Sequence, residues 1–176
     1  MAVLIRVLFP LLASVLLALA PPARAALEEN EVKAAVVYHL SLFADWPPGS
    51  LREGSFNLCV LTENEGMADA LSRLGGKTVK GVHLVVWRKR PMLDLGICQM
   101  VYLGEMSEGA RGRVIAQLAG QPVLTIANGG IPIPGAMVSL GVSGERVYFD
   151  IDLPVVQRGG LRLDAKLLRL ARSVVK

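Results

Sequence analysis

Cys59 and Cys98 are the two cysteines of the 176-residue chain, and they could form one covalent bond with each other. The sequence has no Cys-x-x-Cys motif, which argues against a redox-active pair. In an oxidising compartment such a pair is typically a structural disulfide. Two buried free thiols are the alternative, because cysteine also packs as a small apolar residue. The bond would close a loop of about 40 residues and stabilise the fold by about 4 kcal/mol in the chain-entropy account.

The histidines and paired carboxylates offer little further chemistry. His39 and His83 are the two histidines, and neither has the spacing to other ligands that a metal site requires. Asp150 and Asp152 would share one face of a strand, where paired carboxylates can act as acid and base or hold a cation. We interpret them instead as the solvent-facing side of an edge hairpin. No catalytic residue, metal or cofactor is predicted, and a hydrolase would need His39 or His83 beside an acid and a nucleophile.

The loop after the first predicted strand, residues 62–66, has the sequence TENEG. In an open α/β sheet this is the place where a phosphate would bind. A dinucleotide site needs G-x-G-x-x-G at this point, whereas the two glutamates here would repel an anion. There is also no G-x-S-x-G nucleophile motif in the chain.

Residues 1–25 are typical of a secretory signal peptide. Arg6 supplies an early positive charge, residues 7–20 form an apolar run, and Ala23-Arg24-Ala25 is a small-x-small cleavage site. The run is shorter than the roughly 20 apolar residues that cross a membrane, so we expect cleavage after Ala25 and a periplasmic location. Removing the segment leaves 17 basic and 15 acidic residues, a net charge of +2, which does not indicate nucleic-acid binding.

Short apolar runs alternate with helix-length segments along residues 26–176. The predicted strands are 56–61, 82–87, 100–104 and 123–127, and the predicted helices are 28–45, 67–74 and 108–118. We expect the first helix to bury Val32, Val36, Leu40 and Phe43. This alternation predicts a single α/β domain, a Rossmann-like sandwich with a mainly parallel sheet. If Cys59 and Cys98 are bonded, the first strand lies beside the third, which gives the strand order 2-1-3-4.

The last third of the chain has a different pattern. Alternating apolar residues over 136–142 and 147–153, with Ser143-Gly144 between them, predict a hairpin with one buried face. A final helix should begin at Asp164, a suitable N-cap, and continue through Ala171, Val174 and Val175. Arg169, Arg172 and Lys176 would then follow one side of that helix, as a solvated face or as a contact with an acidic partner.

Two apolar segments stand out as candidate partner-binding surfaces. Trp46 and Pro47 follow the first helix, and Ile131 and Ile133 lie in a Pro- and Gly-rich loop before the hairpin. Prolines lower the entropy cost of ordering a loop at an interface, and aromatic anchors are common hot spots. Core packing is the alternative for Trp46, Ile131 and Ile133 alike.

Several segments together carry a family resemblance. They are EVKAAVVYHLSLFADWP (31–47), FNLCVL (56–61), CQMVYLG (98–104), LAGQPVLTIA (118–127), RVYFDIDL (146–153) and GLRLDAKLLRLA (160–171). In their order and spacing they resemble the YfiR family of exported proteins. The resemblance implies that Cys59 and Cys98 are the family's paired cysteines and that Trp46 is its tryptophan after the first helix. A second cysteine pair of some members is absent, and residues 131–134 occupy that region.

The resemblance implies a periplasmic α/β domain that can dimerise and that regulates rather than catalyses. YfiR represses a membrane-bound diguanylate cyclase by binding its periplasmic region, and so controls cyclic di-GMP and biofilm formation. An outer-membrane lipoprotein can sequester the repressor. We expect the same partners here. The alternative is a periplasmic module that binds a small molecule and feeds another membrane signalling protein.

Overall fold

The computed structural model describes residues 23–51, 54–88, 94–144 and 146–176, so the predicted signal peptide lies largely outside the described residues. The helices are α1 (Ala23–Phe43), α2 (Glu65–Ser72), α3 (Glu108–Leu118), α4 (Leu153–Arg158) and α5 (Ala165–Leu170). The strands are β1 (Ala44–Asp45), β2 (Ser55–Leu61), β3 (Thr78–Val79), β4 (Val82–Arg88), β5 (Met100–Leu103), β6 (Leu124–Asn128), β7 (Val138–Ser143), β8 (Arg146–Asp152), β9 (Arg162–Leu163) and β10 (Ser173–Val175).

The main sheet has the strand order β10-β8-β7-β6-β5-β2-β4-β3. The four strands predicted from the apolar runs are the consecutive neighbours β4, β2, β5 and β6, the order 2-1-3-4 that the cysteine pairing predicts, and they run parallel. The prediction of a mainly parallel sheet is wrong, because the sheet is mixed. The pairs β3–β4 and β7–β8 are antiparallel.

The predicted hairpin is present, since β7 and β8 pair from Val138–Ile151 to Ser143–Arg146. It is not an edge hairpin, however. β7 also pairs with β6, and β8 also pairs with β10. A second, two-stranded sheet pairs Ala44 of β1 with Leu163 of β9.

Two helix predictions are corrected by the structure. The final helix ends at Leu170, and residues 173–175 form β10 instead. The reason is tertiary, because this segment pairs in parallel with β8 and so satisfies its backbone groups there. The first helix buries Leu40 as predicted, but it does so together with Ala34 and Val37, whereas Val32 is 48% exposed. Val36 and Phe43 are only partly buried.

Local chemistry explains where the shorter helices begin. The side chains of Asn64, Ser107, Asp152 and Asp164 each accept a backbone N–H of the first turn of α2, α3, α4 and α5, respectively. These caps satisfy donors that have no partner within the helix. The cap at Asp164 is the one predicted from the sequence.

The sheet separates two apolar cores. Alternate residues of β2 show this division: Phe56, Leu58 and Val60 belong to the first core, with α1 and α2. Cys59 and Leu61 belong to the second core, which includes Val114 and Leu118 of α3. The side of the sheet that carries the first core is the first face, and the opposite side is the second face. None of the helices in the described part of the chain is long and apolar enough to cross a membrane.

Candidate functional site

Cys59 and Cys98 form a disulfide in the structure, with their Cα atoms 5.9 Å apart. Cys59 lies within β2 and Cys98 lies just before β5, and both are buried in the second core. The disulfide prediction is confirmed. Since both sulfurs are buried and bonded, the pair ties two neighbouring strands together on the second face.

Trp46 and Pro47 lie where the chain leaves α1 and β1. The indole Nε1 of Trp46 donates to the carbonyl oxygen of Gln99 at 3.1 Å, and its ring meets that of Phe56 edge to face with centroids 5.0 Å apart. Trp46 is therefore anchored within the molecule, on the first core. Pro47 packs close to Gly160, where an added Cβ would lie 3.2 Å from the proline ring.

Ile131 and Ile133 lie in the segment between β6 and β7, residues 129–135, here called the apolar loop. Ile131 is 70% exposed, whereas Ile133 is partly buried against the second core. A cavity of about 400 Å³ lies between this loop and α3, with Arg111 and Ile115 on its helix side. A second cavity of about 300 Å³ lies between the loop and the β8–β10 end of the sheet. The apolar loop thus lies between two grooves, one toward α3 and one toward the β8–β10 end of the sheet.

The structure does not bring the four predicted partner-binding residues together. Trp46 bonds to Gln99, which directly precedes β5, at the amino ends of the parallel strands. The apolar loop follows the carboxyl end of β6. Because β5 and β6 are parallel neighbours, the pair Trp46–Pro47 and the pair Ile131–Ile133 lie at opposite edges of the sheet.

Asp150 is the buried centre of a polar network on the second face, whose other members, Arg172 and Ser173, are exposed. Its carboxylate, only 4% exposed, accepts hydrogen bonds from Nε of Arg172 at 2.9 Å and from the Ser173 hydroxyl at 2.7 Å, and Nη2 of Arg172 completes a two-pronged ion pair. The interpretation of Asp150 as a solvent-facing residue is wrong, because β10 brings Arg172 over it. Asp152 caps α4 through Val155 N–H at 3.0 Å.

The ionisation of Asp150 follows from these contacts. Burial of the carboxylate opposes ionisation, but the hydrogen bonds from Arg172 and Ser173 outweigh it and lower the pKa of Asp150 below its ordinary value. Asp150 is therefore a charged structural anchor at neutral pH. The row of basic residues predicted along the final helix is therefore interrupted, since Arg172 lies outside α5 and forms an ion pair with Asp150.

Tyr148 is a residue that the sequence pattern did not single out. Its hydroxyl donates to the carbonyl oxygen of Gly130 in the apolar loop at 2.5 Å, and the guanidinium carbon of Arg172 lies 3.8 Å from its ring centroid. A signal for it was available in the predicted hairpin, because Gly141 and Tyr148 face each other in register. An aromatic residue covering a cross-strand glycine is a known way of stabilising a sheet.

The remaining candidates have ordinary structural contacts. Nδ1 of His39 lies 2.8 Å from the Ala35 carbonyl oxygen, and Nδ1 of His83 lies 3.4 Å from that of Gly76. In the loop after β2, the Thr62 hydroxyl donates to the Glu105 carboxylate at 2.9 Å and Asn64 caps α2. No group of three or more metal-ligating side chains is found among the described residues.

These observations define an α/β domain with a disulfide between two central strands and an exposed apolar residue, Ile131, in the loop between β6 and β7. The chain belongs to the YfiR/HmsC-like family, whose sequence model matches residues 30–172. The match includes β2 through α5, the disulfide and the apolar loop. The resemblance carried by the sequence segments is thereby confirmed, and the family is a regulatory one.

Proposed function

We propose that this protein is a periplasmic, non-enzymatic regulator that binds and represses a membrane-bound diguanylate cyclase, and so controls cyclic di-GMP signalling and biofilm formation. Family membership supports the choice of partner. The observation that carries the proposal in the structure is Ile131, a large apolar side chain 70% exposed at the tip of a bonded loop. What distinguishes Ile131 from a single exposed apolar residue such as Leu170 is its place in an apolar loop flanked by two grooves, and a contiguous exposed apolar surface of this kind is typical of a protein–protein contact.

The export of the chain is part of this proposal. Residues 1–25 direct the protein to the periplasm and are removed, and residues 26–176 act there as a single domain. The buried Cys59–Cys98 disulfide supports this location, because disulfides persist in oxidising compartments.

The proposed mechanism is a shift between two states of the cyclase. The apolar loop binds the cyclase's periplasmic region in its inactive conformation and holds it there. The extent of repression is limited by the difference between the affinities for the two states, since a regulator that bound both equally would shift nothing. An outer-membrane lipoprotein that competes for the same loop would relieve repression.

Exposed apolar residues at two places in the fold allow a matched test. Ile131 and Leu170 are 70% and 71% exposed, but Leu170 lies on α5, the helix that packs on the first core. Ile131→Asp should bind the cyclase's periplasmic region about 30-fold more weakly, as expected for a hot spot worth about 2 kcal/mol. Leu170→Asp should bind like the wild type. Binding is measured by calorimetry on the purified exported forms.

The same pair of variants tests repression in cells. Deleting the gene should raise cyclic di-GMP, and the wild type and Leu170→Asp should restore the low level. Ile131→Asp should fail to do so at equal periplasmic abundance, judged by immunoblot. Full repression by Ile131→Asp would contradict the role of the loop, and an unchanged cyclic di-GMP level after gene deletion would contradict the choice of cyclase.

Trp46, Pro47 and self-association stay as predictions within this proposal. The contacts of Trp46 with Gln99 and Phe56 are internal, so we expect its replacement to act mainly through stability. We also expect a homodimer, which light scattering of the exported form would detect.

A second candidate function is a module that binds a small molecule. It is favoured by the cavity of about 400 Å³ beside the apolar loop, whose lining combines Glu108 and Arg111 with apolar side chains. This volume falls within the range of small-molecule sites. A ligand that raises the melting temperature of the wild type, and does so less for Arg111→Met, would support this candidate.

A further inference from the structure

The apolar loop is tied to the sheet at its base by several bonds. The amides of Gly129 and Gly130 both donate to the Leu140 carbonyl oxygen, at 3.0 and 3.3 Å. The amide of Ile133 donates to the Ser139 hydroxyl at 2.8 Å. The loop is thus bonded along β7, while Ile131 between these points stays exposed.

One side chain reaches the loop from the next strand. The hydroxyl of Tyr148 in β8 donates to the carbonyl oxygen of Gly130 at 2.5 Å. To do so, its ring crosses Gly141 of β7, where an added Cβ would lie 2.6 Å from the end of the tyrosine ring and 2.7 Å from the Gly130 Cα. A side chain at position 141 would therefore push Tyr148 and the loop apart, so glycine is required for this contact.

The ring of Tyr148 is also contacted by Arg172. The guanidinium carbon lies 3.8 Å from the ring centroid, a distance typical of a cation–π contact. The guanidinium is itself fixed by the buried Asp150 carboxylate, which also accepts from Ser173 of β10. The orientation of Tyr148 thus depends on the segment that leads into the edge strand β10.

We propose that Tyr148 is the positioning residue of the apolar loop, and that Arg172 acts on the loop through it. This inference rests on the proposed function, in which the loop is the surface that binds the partner. A loop already held in its bound shape loses less conformational freedom on association, which raises affinity without any new contact. Tyr148 itself does not need to touch the partner.

The chain offers a matched control for the tyrosine hydroxyl. Tyr38 also donates its hydroxyl to a backbone carbonyl, that of Thr78, at 3.0 Å. That bond lies at β3, the opposite end of the main sheet from β10. Tyr148→Phe and Tyr38→Phe therefore remove the same type of bond at two distant places, and neither introduces a new group.

Hydrogen exchange of the loop amides is the direct test. In Tyr148→Phe, the exchange of the bonded amides of Gly129, Gly130 and Ile133 should become faster by about 5-fold, as expected when a bond worth about 1 kcal/mol is lost. Tyr38→Phe should leave these amides unchanged. Unchanged loop exchange in Tyr148→Phe would overturn the proposal.

Arg172→Lys tests whether the arginine acts through Tyr148. This variant keeps a positive charge near Asp150 but removes the flat guanidinium stack. The same loop amides should exchange faster, by a smaller factor than in Tyr148→Phe. In the double variant Tyr148→Phe with Arg172→Lys, the arginine substitution should cause no further increase in loop exchange, because the Tyr148 hydroxyl that Arg172 positions is absent. Full additivity of the two changes would contradict an action through Tyr148.

Partner binding separates this inference from the proposed function. If the loop binds the cyclase, Tyr148→Phe should weaken binding by about 3- to 10-fold, while Tyr38→Phe should not. Faster loop exchange with unchanged affinity would support the positioning role and contradict the loop as the partner surface. Weaker binding with unchanged loop exchange would overturn the positioning role.

Discussion

The two faces of the main sheet are held together by different means. The first face is covered by α1, α2 and α5, and its core consists of apolar side chains in mutual contact. The second face is covered by α3 over β2, β5 and β6, where the disulfide lies. Over β7 and β8 it carries instead the stack of Arg172 on Tyr148 and the buried Asp150. Apolar packing therefore predominates on the first face, whereas the second face adds a disulfide and, over β7 and β8, a few specific bonds to its own apolar core.

This arrangement matters for the proposed function because the apolar loop belongs to the second face. If the loop packed on a wide apolar core, the Ile131 side chain would be buried in that core. Here specific bonds from Tyr148 and Ser139 hold the loop while the Ile131 side chain stays exposed. Separate bonds can position a surface without burying it, which a continuous apolar core does not do.

The largest expected effect comes from removing the cross-link of the second face. Cys59→Ala with Cys98→Ala should lower the free energy of unfolding by about 4 kcal/mol in the chain-entropy account, measured by urea denaturation. Wild type treated with reductant should lose a similar amount. A loss of less than about 1 kcal/mol in the free energy of unfolding would contradict the proposed difference between the two faces, because the second face would then depend on apolar packing as the first does.

The neighbouring residue in β2 gives the corresponding measurement for the first face. Leu58 is 1% exposed and points to the first core. Leu58→Ala should lower the free energy of unfolding by about 3 kcal/mol, because apolar burial is lost and a cavity is left behind. Leu58→Met, which nearly keeps the volume, should cost less than about 1.5 kcal/mol. Similar losses in both variants would mean that shape, and not apolar volume, holds this face.

The Asp150 anchor should make the second face sensitive to acid. Since the pKa of Asp150 is lower in the folded state, its contribution is present above the ordinary carboxyl pKa and is lost as the pH falls through the folded value. Asp150→Asn should cost about 2 kcal/mol at pH 7, as expected for hydrogen bonds to a charged group. The difference from wild type should shrink below about pH 4. A difference that stays constant with pH would contradict the charged anchor.

The smallest expected effect concerns Tyr102, in the first core. Its hydroxyl is buried without a hydrogen-bond partner among the described residues. Tyr102→Phe should therefore change the free energy of unfolding by less than about 0.5 kcal/mol at pH 7, or stabilise slightly. Burial, with the charges of Glu105 and Glu29, raises the pKa of Tyr102 well above its ordinary value. The wild type should thus lose stability above about pH 10, where the unfolded chain ionises, and the variant should lose less.

Much of the fold can be predicted from local sequence. The apolar runs locate β2, β4, β5 and β6, and the turn at Ser143-Gly144 locates the hairpin. The inferred bond between Cys59 and Cys98 adds one long-range distance, and that distance is enough to order the four strands. The strands and the hairpin can be predicted because hydrophobic periodicity and residue spacing are properties of short segments.

The parts that sequence reasoning missed depend on contacts between distant segments. Residues 173–175 fit a helix as well as a strand, and their pairing with β8 decides between the two. Asp150 looks solvent-facing until Arg172, 22 residues later, is placed over it. The same pairing leads to the Tyr148 contact, so the sequence could propose the loop as a candidate site but could not predict the contacts that hold the loop in place.

The small bridge between β1 and β9 has a consequence for the order in which the chain is made. It joins Ala44 at the end of α1 to Leu163, about 120 residues later. A ribosome adding about 5–20 residues per second releases α1 on the order of 10 s before its partners in β8, β9 and α5 exist. During that interval the side of α1 that carries Val37 and Leu40 can pack only against the earlier part of the first core, β2 and α2, because β8 and α5 are still missing. The first core should therefore stay incomplete, and the nascent chain accessible to chaperones, until the last residues have emerged.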